Sequence, residues 1–169
     1  MDSFDITNLT LDDNSFMTVP EGDYHFKVDS HHVEFSTSDK MPENTQVVVC
    51  HLTIPVIQDG ELTTCSVKTN LNIYRKGMFA VRKYAECIGL VPEKGRQTLD
   101  LTTMDGHTGI CKLLVGVSAR GNEYNQVDEF YSPSKAPSVC ANDEAWEKFN
   151  SKPEEGFITG EEAEVNPFT

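Results

Sequence analysis

Residues Gly109 to Pro133 read GICKLLVGVSARGNEYNQVDEFYSP, and their pattern decides the fold. Cys111, Leu113, Val115 and Val117 recur at every second position, which puts them on one face of an extended strand and leaves Ile110, Lys112, Leu114 and Ser118 on the other. The run meets Ala-Arg-Gly-Asn, and a second extended run, Tyr124 to Tyr131, follows at once. Gly121 and Asn122 both tolerate positive φ, so the pair predicts a tight turn and an antiparallel hairpin. Such a hairpin carries Arg120 and Tyr124 together near its tip, a cation and an aromatic plane suited to stacking on a flat ligand.

Upstream, Lys76 to Leu90 places Met78, Val81, Ala85 and Ile88 at helical spacing, with Phe79 and Tyr84 widening the stripe and Gly89 as its stop. Val91 to Gly106 reads as a loop with a short ordered piece around Leu99 and Leu101. Three strands precede the helix. Leu62 to Tyr74 turns Cys65, Val67, Leu71 and Ile73 inward, and its other face is Thr64, Ser66, Lys68, Asn70, Asn72 and Tyr74. Gln46 to Ile57 turns Val48, Cys50, Leu52, Ile54 and Val56 inward and Val47, Val49, His51 and Thr53 outward; an Asp59-Gly60 hairpin turn joins these two strands. Tyr24 to Phe35 begins with Tyr24, Phe26 and Val28 on one face, then changes parity at Val33 and Phe35, which predicts a bulge or sharp coil across His31-His32. Tyr24, Phe26, Phe35 and Phe79 are assigned to the core.

Three strands, a helix and two strands is the chain order of an OB-fold. The expected class is therefore all-β with one helix, a five-stranded OB-fold-like Greek-key barrel (β-β-β-α-β-β) with a disordered acidic C-terminal tail. Residues 1–22 read as an irregular N-terminal arm, 23–133 as the domain, and 134–169 as an acidic, largely disordered tail in which 143–150 has room for a short helix bearing Trp146 and Phe149.

The net charge of −13 at first sight excludes a nucleic-acid ligand, whose phosphates it would repel. Its distribution removes that objection. Residues 1–23 hold six acids and no Lys or Arg (−6), residues 134–169 hold eight acids against three lysines (−5), and residues 24–133 carry only −2, so the middle can present a basic face. Five cysteines, Cys50, Cys65, Cys87, Cys111 and Cys140, are an odd number without CxxC spacing, and they read as reduced thiols in a cytoplasmic protein. His31, His32, His51 and His107 have no zinc-finger spacing to Cys50 or Cys111, so no metal site is expected. No cofactor is expected either. No Gly-rich phosphate loop, nucleophile elbow or paired carboxylate points to an enzyme, and no apolar run is long enough to span a bilayer.

The phrases Val19-Pro20-Glu21-Gly22-Asp23-Tyr24, Ala85-Glu86-Cys87-Ile88-Gly89-Leu90, Met104-Asp105-Gly106-His107-Thr108-Gly109 and Gly121-Asn122-Glu123-Tyr124-Asn125-Gln126-Val127 resemble those of a phage and prophage family of OB-fold single-stranded DNA-binding proteins, over roughly residues 16–133. The C-terminus is similar to the acidic, Pro-Phe-tipped tails with which such proteins dock replication and recombination partners. Here Glu161, Glu162, Glu164, Pro167 and Phe168 carry the similarity, and two features depart from it: Thr169 follows the phenylalanine, and the acids are glutamates spaced from the tip by Val165-Asn166. The resemblance implies bacteriophage DNA replication or recombination in a bacterial cytoplasm, with single-stranded DNA as ligand. The residues expected to meet it are Arg120, Tyr124, Lys68, Tyr74, Arg75, Lys76, Lys112, Asn70 and Asn72: aromatic planes for bases, cations for phosphates and amides for hydrogen bonds. A homo-oligomer stays open. The competing reading is an acidic OB-fold protein-interaction module or DNA mimic that touches no nucleic acid, because a fold does not settle a function.

Overall fold

The computed structural model describes residues 18–91 and 99–157, the side chains of 152–157 excepted. In chain order the elements are β1 (Gly22–Phe35), β2 (Gln46–Gln58), β3 (Glu61–Ile73), α1 (Met78–Cys87), β4 (Thr108–Val117), β5 (Glu123–Phe130) and α2 (Asp143–Phe157). The five strands form one antiparallel sheet in the order β3-β2-β1-β4-β5. The sheet curls into a half-barrel that brings its edge strands β3 and β5 alongside each other, and Cys65 Sγ on β3 lies 4.0 Å from Asn125 Oδ1 on β5.

Residue pattern accounts for most of this. The inward parity of each strand supplies the core: Phe26, Val28, Leu52, Ile54, Val67 and Leu113 are buried, with α1 closing the cluster through Val81 and Tyr84 and Ile88 following at its end. Tyr84 sets its ring edge-on to Phe130 at 5.0 Å and donates its hydroxyl to Met104 Sδ at 3.1 Å, so the one polar atom of that buried ring has a partner. Gly109 lies where α1 meets the sheet, since a Cβ there would fall 2.6 Å from Cys87 Sγ and 3.0 Å from Phe26 Cζ.

Several expectations change. The register shift in β1 falls between Val28 and Ser30, ahead of His31-His32. One extra residue, Asp29, flips the parity, and His31, Val33 and Phe35 then share the inward side with Cys50 and Val48. That parity does not bury them: Val33 is 53% and Phe35 63% exposed, and Phe79 on the first turn of α1 is 76% exposed, so neither phenylalanine is in the core. Val47 and Val49, on the outward parity of β2, are buried instead. Their cross-strand neighbours are long, Glu34 and Asn72 beside Val47, His32 and Asn70 beside Val49.

The segment after β5 belongs to the domain. β1 pairs with β2 only from Lys27 onward, so its first residues present an open edge. Residues 140–142 fill that notch. The Ala141 N–H donates to Asp23 O at 2.8 Å; the Asn142 amide accepts from His25 N–H at 2.9 Å and donates to His25 O at 3.1 Å and Pro55 O at 2.8 Å. One buried side chain thus stands in for a strand partner to β1 and ties it to β2. The helix that follows runs to Phe157, past the 143–150 expected for it, and stacks Trp146 on His25 at 5.0 Å. The arm before residue 18 and the acidic tip after residue 157 lie outside the described residues. No helix among those described is long and apolar enough to cross a membrane.

Candidate nucleic-acid interface

The β4–β5 hairpin turns one step earlier than the Gly-Asn pair predicts. Ala119 and Arg120 occupy the turn, Gly121 N–H closes on Ser118 O at 2.9 Å, Gly121 takes φ +87°, and Ser118 N–H pairs with Asn122 O at 2.8 Å. This is a type I turn followed by a left-handed glycine, a three-residue hairpin loop. Arg120 is exposed at the tip as a result.

Tyr124 stands opposite Gly116, and its ring lies over that residue: a Cβ at position 116 would sit 2.8 Å from Tyr124 Cζ. The missing side chain at Gly116 leaves room for the phenol end of the ring against β4, while Tyr124 stays 44% exposed. The neighbour Asn125 points the other way and anchors the hairpin, accepting from Val19 N–H at 2.8 Å and donating to Val19 O at 2.9 Å.

Since Cys65 and Asn125 meet on the inner side, the outward residues beside them, Tyr124 on β5 and Thr64 and Ser66 on β3, share the outer surface. Lys68 and Asn70, both exposed, and the half-buried Asn72 continue along that face, in register with His51, Val49 and Val47 of β2. His51 stacks on His32 at 5.2 Å, with Nε2 3.2 Å from His32 Nδ1. At the end of the strand Tyr74 is half-buried, and Arg75 and Lys76 sit exposed in the 3-10 turn that leads into α1.

Lys112 stands apart. It lies on β4 between Asp23 of β1 and Glu129 of β5, two carboxylates that offset its charge, and it does not join the β3 face. The expected set therefore divides into the hairpin tip (Arg120, Tyr124), the β3 face (Lys68, Asn70, Asn72) and the strand-to-helix corner (Tyr74, Arg75, Lys76). Glu161, Glu162, Glu164, Pro167 and Phe168 lie outside the described residues.

The structure adds Phe35 and Phe79, exposed aromatics that the sequence pattern assigns to the core. Phe79 helps to line a cleft of about 400 Å³ between the two edge strands, with Asn70 and Leu71 on one wall, Val127 to Phe130 on the other and Lys83 at its rim. Lys83 Nζ is 4.0 Å from Glu129 Oε2. The signal that could have found Phe79 is its place at the edge of the helical stripe, beside the helix's exposed start.

All five cysteines are buried, and none is in a disulfide. Burial pushes the thiols of Cys50 and Cys87 up to about 11 and Cys111 well above the usual thiol value, so none is poised as a nucleophile. The same burial raises the Tyr84 phenol, and the Asp23 carboxylate that accepts the Tyr131 hydroxyl at 2.7 Å raises that phenol too.

Compared with protein-family models and with curated proteins, the chain finds no match.

Proposed function

We propose that the chain is an OB-fold protein that binds single-stranded DNA without strong sequence preference. More particularly, we read it as a non-enzymatic coat protein of phage-type replication or recombination that recruits partners through its acidic tail in the host cytoplasm. The observation that carries this reading is Tyr124, an exposed aromatic residue seated against Gly116 on the strand that approaches β3, whose outward residues are Lys68, Asn70 and Asn72. A base needs a flat apolar plane, a phosphate a nearby cation, and sequence-tolerant binding little more. The strand order, with β3 and β5 approaching at the seam, supports the five-stranded Greek-key barrel. Exposed Phe79 and Phe35 offer further planes on which successive bases can stack.

The test is fluorescence polarisation with labelled oligo-dT at low salt, against the same label on duplex, whose paired bases hide their faces. The single strand is expected to bind more tightly. Tyr124→Ala is expected to cost about 1–3 kcal/mol with little change in salt slope. Arg120→Ala is expected to lower the slope of log K against log salt by about 0.7, the value for one lost single-strand phosphate contact. Parent-like binding by both folded variants would sink the reading and favour the interaction module.

A further inference from the structure

We propose that His25, Cys140 and Asp143 form a zinc-binding site that fastens α2 to β1. Their donor atoms, an imidazole nitrogen, a thiol sulfur and a carboxylate oxygen, all lie within 4.8 Å of one another, although more than a hundred residues separate His25 from the other two. Tetrahedral zinc with bonds of about 2.0–2.3 Å holds its donors about 3.3–3.8 Å apart. His25 Nε2 and Asp143 Oδ1, now 2.7 Å apart, need only part slightly to admit the ion. The donor set also selects the metal. Nitrogen, sulfur and oxygen together suit a borderline ion such as zinc and disfavour magnesium or calcium, which take oxygen alone.

The three side chains are already oriented. His25 is stacked on Trp146 with an interplanar angle of 8°, which fixes its ring plane. Asp143 presents Oδ1 to His25 while its Oδ2 accepts the Cys140 N–H at 3.0 Å, so a ligand carboxylate has the outer hydrogen bond that metal ligands usually have. Cys140 is buried and Asp143 half-exposed, which turns the remaining coordination position outward. The open depression there is lined by Glu147, one helical turn after Asp143, so the fourth ligand is that carboxylate or water. The spacing of the sequence conceals all this, because Cys140-x-x-Asp143 supplies only half of a pattern and His25 is brought in by the notch-filling turn.

The experiment uses the full chain, stripped with chelator and titrated with Zn²⁺ or Co²⁺. One zinc per chain by native mass spectrometry, a melting temperature raised by zinc, and a thiolate-to-cobalt charge-transfer band are expected. Cys140→Ser is expected to abolish the band, and His25→Gln and Asp143→Asn to weaken zinc by at least the roughly 10- to 100-fold that loss of an outer partner costs. Cys65→Ser, a buried thiol outside the cluster, serves as the control and is expected to keep the band. Circular dichroism confirms folding, and His25→Gln provides the decisive reading if Cys140→Ser unfolds. Failure of the parent to retain zinc, a cobalt band that survives Cys140→Ser, or a melting temperature indifferent to zinc but lowered by Asp143→Asn would each overturn the proposal, the last by leaving His25 and Asp143 as a plain ion pair. None of these results depends on DNA.

Discussion

Replacing Asn142 by alanine should show how much of the fold depends on the segment after the last strand. The side chain is 3% exposed and makes three hydrogen bonds, to His25 N–H, His25 O and Pro55 O. Each contributes about 0.5–1.5 kcal/mol net, and the partners left behind at the notch lose their match, so the variant is expected to lose about 2–4 kcal/mol. With a urea m-value of about 2 kcal/mol/M, the midpoint should fall by about 1–2 M while m stays unchanged. Asn142→Asp removes the donor but keeps the size, and turns a carboxylate toward two carbonyl oxygens; it should be at least as damaging as alanine. Hydrogen exchange gives the local reading, in which the His25 amide loses protection. A loss under about 0.5 kcal/mol for both variants, the range of ordinary surface changes, would refute the idea that Asn142 acts as a strand partner for β1.

Gly116→Val should displace the Tyr124 ring, whose far end yields more readily than backbone, and so reproduce the DNA-binding defect of Tyr124→Ala in a folded protein; oligo-dT titration checks this. The Asp143 carboxyl is held below its ordinary value of 3.8 by the Cys140 N–H and by His25, so its contribution is whole above 3.8 and is lost as pH falls further. Fluorescence of Trp146, the one tryptophan, should report that loss as the His25 stack opens, and Asp143→Asn should remove the acid-side change. Iodoacetamide at mildly alkaline pH should leave the native thiols unmodified and label all five after unfolding; rapid native labelling of Cys50, Cys87 or Cys111 would contradict their burial.

Local pattern made the strands, α1 and the Asp59-Gly60 turn legible, because alternation and helical spacing are written within a dozen residues. The hairpin tip was legible to within one residue. Its turn shifted to Ala119-Arg120 because Gly121 alone supplies the left-handed φ. Phe35 and Phe79 were misassigned for a different reason: strand parity and helical spacing say which side a residue faces and leave open whether anything lies over it. The β3 face could be read as polar and weakly basic, whereas Lys112 looked equivalent until the register set Asp23 and Glu129 beside it. Asn142 gave no signal. A single asparagine in a polar stretch acquires its role only when a remote strand edge arrives beside it.

The notch in β1 also bears on the order in which the chain can fold. Asn142 is 117 residues from the His25 groups that it satisfies, so on a growing chain all five strands are synthesised before that contact exists. Contacts of such long sequence separation form late and slowly. Until residue 142 leaves the ribosome, the opening residues of β1 carry unmatched backbone groups, a sheet edge on which other chains can pair. The segment that follows β5 thus acts as a seal, closing during synthesis an edge laid down at the start of the sheet.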